Sequence, residues 1–337
     1  MKCTSNTPYR KRKNRKKELR IRIILFLLFT GCLVGFIALL ITLKNAPSGP
    51  VPERYQLAVY SASPFSDEIC ISNRDVDCED FYRYDEFPGA LLFDIKEQEV
   101  IFSENVHERL YPASTTKMLT AYLALKYGNL DSTVTVSKNA VNVPAASSIA
   151  HLKTGDQLSL NDLLYALMLP SGNDSAVAIA EHISGNTRDF ADLMNREAKL
   201  LGATNTHFTN PHGYHDKNHY TTAYDLYLIL NACIKDERFI KIVSTSQKSA
   251  TITQADGSSR IATWYQTNQF INGQRKSPNN VFVIGGKTGN THNAGSCLAL
   301  YCKNDAGNPY IAIIMGATSK RNLYENMTFL LSAIPNE

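Results

Sequence analysis

The chain has 337 residues, 44% of them hydrophobic and 20% charged, which suits one large or two small globular domains and excludes a disordered protein. Its formal net charge of +4 is unevenly spread: residues 1–22 hold ten Lys or Arg against one acid, Glu18, leaving 25 basic and 30 acidic residues beyond. The basic character therefore belongs to a tail, and no nucleic-acid partner is expected.

After that tail, Ile23 to Leu43 run 21 residues without a charge. As a helix they would reach about 31 Å, the thickness of a bilayer's hydrocarbon core. The Lys/Arg cluster assigns residues 1–22 to the cytoplasm, 23–43 to a single uncleaved transmembrane signal-anchor, and everything beyond to the extracytoplasmic side of the cell membrane. The expected segments after it are a Pro/Gly linker over 44–54, an entry segment of unread role over 55–87, and a catalytic domain over 88–337. Of seven cysteines, Cys3 and Cys32 fall on the tail and the span. Cys70 and Cys78 are placed to close a small loop, whereas Cys297 and Cys302, five apart on a strand, should face opposite ways.

Within the domain, Ala90–Asp94 and Glu99–Phe102 are strand-like runs joined by a polar turn. Ser114 to Lys126 has helical apolar spacing and stops at Gly128. Leu160–Leu169 and Asp174–Ile183 are two more helices, interrupted by Pro170-Ser171-Gly172-Asn173. Thr222 and Asp225 form a capping box for a helix through Ile234. Val281–Ile284, Cys297–Tyr301 and Tyr310–Met315 return to strands, and Arg321–Ile334 closes the chain as an amphipathic helix. The predicted fold class is α/β (α+β): one antiparallel sheet made from N- and C-terminal strands, helices covering it, and a helical subdomain.

Three short motifs carry the chemistry. Ser114-Thr115-Thr116-Lys117 is the only Ser-x-x-Lys in the chain; at a helix start, residues three apart share a face, so Lys117 can reach the Ser114 hydroxyl. Lys117 can act as a base only when neutral. At the reference pKa near 10.4, about 0.04% is neutral at pH 7, so burial beside a second cation is required. Lys287-Thr288-Gly289, after the VFVIGG run, can supply that cation, with Gly289 admitting a substrate backbone. A second copy, Lys153-Thr154-Gly155, reads as a turn. Ser171-Gly172-Asn173 lies between two apolar helices, where Ser171 can relay a proton and Asn173 can hold Lys117. Its twin, Ser184-Gly185-Asn186, fits a helix C-cap.

In this order and context the three motifs match the set known from β-lactamases and penicillin-binding proteins. The chain resembles low-molecular-mass penicillin-binding proteins, the serine D-Ala-D-Ala carboxypeptidases (peptidase S11, β-lactamase/transpeptidase-like fold), through YPASTTKMLTAYLAL, LLYALMLPSGNDSAVAIAEHI, FTNPHGYHDKNHYTTAYDL and VIGGKTGNTHNAGSCLAL. The resemblance implies Ser114 as nucleophile, Lys117 as its base, and Ser171 with Asn173 as the second catalytic element. Lys287 and Thr288 would bind the terminal carboxylate of a peptidoglycan stem peptide ending in D-Ala-D-Ala, with Gly289 beside them at the substrate backbone. The backbone N–H groups of Ser114 and Asn290 would form the oxyanion hole, and Arg321 would assist at the carboxylate. No metal or cofactor is implied, and β-lactam antibiotics would acylate the site. Asn290 stands where many relatives have His or an aromatic residue. The chain ends at Glu337, without the further β-rich domain and C-terminal anchor of many relatives, so the N-terminal span is expected to replace that anchor.

Three alternatives stand against this. A serine β-lactamase would share the triad but needs a deacylating Glu, and no Glu-x-x-Leu-Asn occurs between Ser171 and Lys287. A zinc peptidase would use His212, His215 and His219, yet PHGYHDKNHY reads as a polar surface loop without HExxH. A β-lactam sensor or wall-binding module would keep a vestigial site, but the 22-residue tail is short for signalling.

Overall fold

The computed structural model describes residues 75–78 and 84–336. The basic tail, the apolar 23–43 run, the linker, most of the entry segment and Cys70 lie outside the described residues. Gly89–Asp94 (β1) and Glu99–Glu104 (β2) pair as an antiparallel hairpin. β1 pairs on its other edge with Pro309–Ala317 (β9), which pairs with Gly295–Asn304 (β8), which pairs with Val281–Thr291 (β7). The result is a five-stranded antiparallel sheet ordered β2-β1-β9-β8-β7, joining the two ends of the domain as the sequence predicts.

The central strands are apolar on both faces because both faces are covered. Ala90, Leu92, Leu300, Tyr310, Ala312 and Ile314 pack with Leu323, Tyr324, Met327, Leu330 and Leu331 of the last helix, Lys320–Ser332. Alternate residues turn the other way: Phe93 meets Tyr227 at a ring-centroid separation of 4.4 Å. Tyr227 belongs to the helix Ala223–Cys233, whose cap is the predicted one, Thr222 accepting from the Asp225 N–H at 2.9 Å.

Between β2 and β7 lies the helical part, with helices at Lys117–Tyr127 (α1), Lys138–Val141 (α2), Leu160–Met168 (α3), Asn173–Ser184 (α4) and Thr187–Leu200 (α5). Gly185 ends α4 in the left-handed region, as expected of its C-cap. Ala223–Cys233 (α6), Glu237–Val243 (α7) and Lys320–Ser332 (α8) complete the helices among the described residues. A second antiparallel sheet, absent from the sequence expectations, is ordered β3-β4-β5-β6 from Thr133–Thr135, Gln157–Ser159, Gln247–Thr253 and Ser259–Tyr265.

Parts of the entry segment are held to the domain. Val76 pairs with Ser103 beside β2, and the Asn326 side chain of α8 accepts from the Tyr84 and Asp85 N–H groups at 2.7 and 3.2 Å. Cys78, Cys233, Cys297 and Cys302 are free thiols; burial pushes Cys297 up to about 11 and Cys302 higher still.

Candidate active site

The residues before α1 form a 3-10 turn, Ala113–Thr116, rather than the first turn of the helix expected to begin at Ser114. Ala113 sits at φ +47°, a conformation that a non-glycine residue holds only when its surroundings impose it. The Thr115 and Thr116 hydroxyls donate to Pro112 O and Ala113 O, both at 2.8 Å, tightening the turn from within. β7 presses on it from outside: a Cβ on Gly289 would come within 2.9 Å of Pro112 O and 3.0 Å of Ser114 N. Gly289 is thus required by the approach of strand to turn, a nearer demand than the substrate contact expected of it.

On the opposite side, the segment around Pro211–Tyr220 is only partly the surface loop expected: Tyr214, Lys217 and Asn218 are exposed, but Pro211, Gly213 and His219 are buried against the site. Thr120 donates to Pro211 O at 2.6 Å, and a Cβ on Gly213, itself at φ +82°, would fall 1.7 Å from Ala113 O. His219 is 2% exposed; its Nδ1 accepts the Thr209 N–H at 3.1 Å, so Nε2 carries the proton and donates to Thr116 Oγ1 at 2.9 Å. Burial holds His212 and His219 down to about 3, aided at His212 by the Lys117 charge and opposed at His219 by Asp216, so both are neutral. His215 packs edge-on against Tyr111 instead of joining them. Among the described residues no group of three His, Cys, Asp or Glu gathers for a metal.

Lys117 is fully buried at the centre of these elements. Its Nζ lies 2.7 Å from Asn173 Oδ1, 2.8 Å from His212 O and 3.0 Å from Ser114 Oγ. Burial, reinforced by the charge of Lys287, pushes its pKa well below the ordinary lysine value, while Asp174 opposes the shift. A neutral amine has two N–H groups and one lone pair. Asn173 Oδ1 and the His212 carbonyl can only accept, so they take the two hydrogens and leave the lone pair facing the Ser114 hydroxyl.

Ser171 ties the second lysine to this group. It is held at φ +65° between α3 and α4, where Gly172 N donates to Ala166 O and Asn173 N to Ser148 O. Lys287 Nζ donates to Ser171 Oγ at 2.9 Å and to Thr288 O at 2.8 Å. Burial alone brings its pKa down to about 7. Lys287, Thr288 and Gly289 lie on β7 itself, which runs on to Thr291 instead of ending near Ile284. β7 is the sheet's last strand, so its outer edge faces the turn of Ser114. The Lys153-Thr154-Gly155 copy is a turn.

The structure therefore joins Ser114, Lys117, Ser171, Asn173, Lys287, Thr288 and Gly289. Asn290 is at the rim with its side chain turned to Ser296 Oγ at 2.7 Å, leaving its backbone as the part available to the site. Arg321 is exposed in the first turn of α8 and has no hydrogen bond to these residues. Two participants escaped sequence reasoning. The His212 carbonyl is a backbone atom and leaves no side-chain signature. Thr267, whose hydroxyl lies 2.8 Å from that of Thr288, sits in a stretch without periodicity.

A family model for D-alanyl-D-alanine carboxypeptidase (peptidase S11) matches residues 88–319. The chain belongs to that family. It is 35% identical over 236 residues to D-alanyl-D-alanine carboxypeptidase DacA of Haemophilus influenzae, covering 67% of this chain and 56% of the relative. With D-alanyl-D-alanine carboxypeptidase DacF of Bacillus subtilis it shares 31% over 250 residues, covering 73% and 61%. The chain thus spans about three fifths of the length of these curated relatives. The crystal structure of the Streptomyces K15 DD-transpeptidase superposes with a TM-score of 0.67 at 29% identity, over 73% of this chain and 96% of that one. The mixed α/β architecture, with its antiparallel sheets, is that of a DD-peptidase.

Proposed function

We propose that the protein is a serine-type D-alanyl-D-alanine carboxypeptidase that removes the terminal D-Ala of peptidoglycan stem peptides and is acylated by β-lactams. The observation that carries this is the three-way contact of Lys117 Nζ with Ser114, Asn173 and His212, beside the Lys287–Ser171 pair. Ser114 Oγ attacks the carbonyl carbon between the two D-Ala residues while its proton passes to Lys117. The oxyanion is received by the backbone N–H groups of Ser114 and Asn290, such a donor contributing roughly 10²–10³ in rate. Lys287 and Thr288 hold the terminal carboxylate, with Arg321 adding longer-range attraction to it. As the C–N bond breaks, Lys117 passes the proton it took from Ser114 through the Ser171 hydroxyl, held by Lys287, to the leaving amine, and is left neutral again. Water then enters, loses its proton to the Lys117 amine and attacks the Ser114 ester, and Lys117 returns that proton to Ser114 Oγ as the ester C–O bond breaks. Every step uses the chain's own side chains and backbone N–H groups, with water.

For the amino-terminal part, the proposal is a membrane anchor over 23–43 with the catalytic domain outside the cell. Among the described residues no helix is long and apolar enough to cross a bilayer. Protease added to intact cells should digest the domain and spare the 1–22 tail.

The enzymatic test is release of free D-alanine from a D-Ala-D-Ala-terminated peptide by the wild type and by Ser114→Ala. Release by the wild type alone supports the proposal. A wild type that binds penicillin covalently but releases no D-alanine would make the chain a sensor. Rapid steady-state nitrocefin turnover would make it a β-lactamase.

A further inference from the structure

Asp174, immediately after the Ser171-Gly172-Asn173 motif, is a carboxylate only 2% exposed. As the second residue of α4 it would ordinarily serve its own helix terminus, and Oδ1 does accept the Ser175 N–H at 2.9 Å. Its other bonds leave the helix. The Ala150 N–H is shared between Oδ1 at 2.9 Å and Oδ2 at 3.0 Å, and the Leu152 N–H reaches Oδ2 at 3.1 Å. The same loop also accepts from α4, Asn173 N donating to Ser148 O at 2.8 Å. From the far side, Trp264 Nε1 donates to Ala150 O and Arg260 to His151 O, each at 3.0 Å. The loop is thus fastened by its N–H groups to α4 and by its carbonyls to β6, at the residue next to the one that holds Lys117.

We infer that Asp174 is a positioning residue for acylation: its carboxylate locks loop 148–152 onto the Ser171–Asn173 element and supplies the fixed negative charge opposite Lys117. The charged and titratable groups facing Lys117 are Lys287 on β7, Asp174 on α4, and neutral His212 and His219 from the 210–220 segment. Asp174 is the one anion among them. Without it, two amines would face each other with no counter-charge, and Lys117 would lose its proton at lower pH.

This inference rests on Ser114 being the nucleophile, so the wild type and Ser114→Ala are run beside the test variants. The rate of penicillin acylation is followed from pH 5 to 9, with thermal melts to check folding. Asp174→Asn is expected to slow acylation roughly 10–100-fold and to move the acid limb down by about one pH unit. Asp174→Glu, which keeps the charge and misplaces the oxygens, should lose rate without moving that limb. If both variants lose rate equally with unmoved limbs, Asp174 is structural only and the inference falls. If the wild type itself is not acylated at Ser114, the functional proposal has failed first. Hydrogen exchange on the wild type covers the case of a variant that does not fold: Ala150 and Leu152 amides should exchange slowly, and exchange at free-loop rates would overturn the lock.

Discussion

Replacing Lys287 by Met should stabilise the protein at neutral pH and cease to do so in alkali. The folded-state pKa of Lys287 is brought down to about 7 from 10.5. Between those values the unfolded chain holds more protons than the folded one, so stability rises with pH across that window and is lowest below it. The full penalty below pH 7 is about 5 kcal/mol, falling to about 4 kcal/mol at pH 7.5 and about 1 kcal/mol at pH 10. Methionine fills similar volume without charge but forfeits the hydrogen bonds to Ser171 Oγ and Thr288 O, together about 2 kcal/mol. Lys287→Met should therefore be the more stable form by about 2 kcal/mol at pH 7.5, equal to wild type near pH 9, and less stable at pH 10. Urea unfolding at these three pH values, with equal m-values, measures the difference. A variant that is less stable at every pH, or by an amount that does not change with pH, would refute the claim that the active site holds this lysine against its solvation.

The acylation rate of the wild type should rise from acid pH as Lys117 loses its proton, then fall as Lys287 loses its own above about 7. A ligand carboxylate paired with Lys287 favours its charged form, so the descending limb should lie at higher pH with the ligand bound than in the free enzyme. Gly213→Ala puts a methyl where only 1.7 Å separates it from Ala113 O; acylation should drop at least 100-fold and stability by about 3 kcal/mol, measured by stopped-flow and urea titration. His219→Ala should cost about 1–3 kcal/mol by leaving the Thr209 N–H unpaired and the Thr116 hydroxyl with only its bond to Ala113 O, and EDTA should leave wild-type activity unchanged, activity loss reviving the zinc alternative.

The sequence made the strongest periodicities and the motif residues legible, and the misses have physical causes. The β1–β2 hairpin, α3, α4 and the Thr222 cap were readable because each rests on local spacing or a capping side chain. The β5–β6 hairpin alternates too, with Ala250, Ile252, Ala262 and Trp264 inward. Its inward residues are few and two are alanines, so the alternation is faint. α5 follows directly on the C-cap of α4, and Asn186, read as part of that stop, also caps α5 by accepting from Asp189 N. The Pro211–Tyr220 segment looked wholly solvated because its ties to the site, His219 to Thr116 and the Pro211 and His212 carbonyls to Thr120 and Lys117, cross about a hundred positions, a contact that composition cannot report. Gly289 was marked as a place of close backbone approach, and the structure adds one from within the protein, by Pro112 and Ser114.

The most direct measurement is the mass and site of the penicillin adduct, followed in time for wild type and for Lys117→Met. The expected result is one adduct, on the tryptic peptide containing Ser114, formed at least 100-fold more slowly in the variant, as loss of a positioned base requires. An adduct on any other residue, or equal rates in the two proteins, would contradict the assignment of a neutral Lys117 as the group that receives the serine proton.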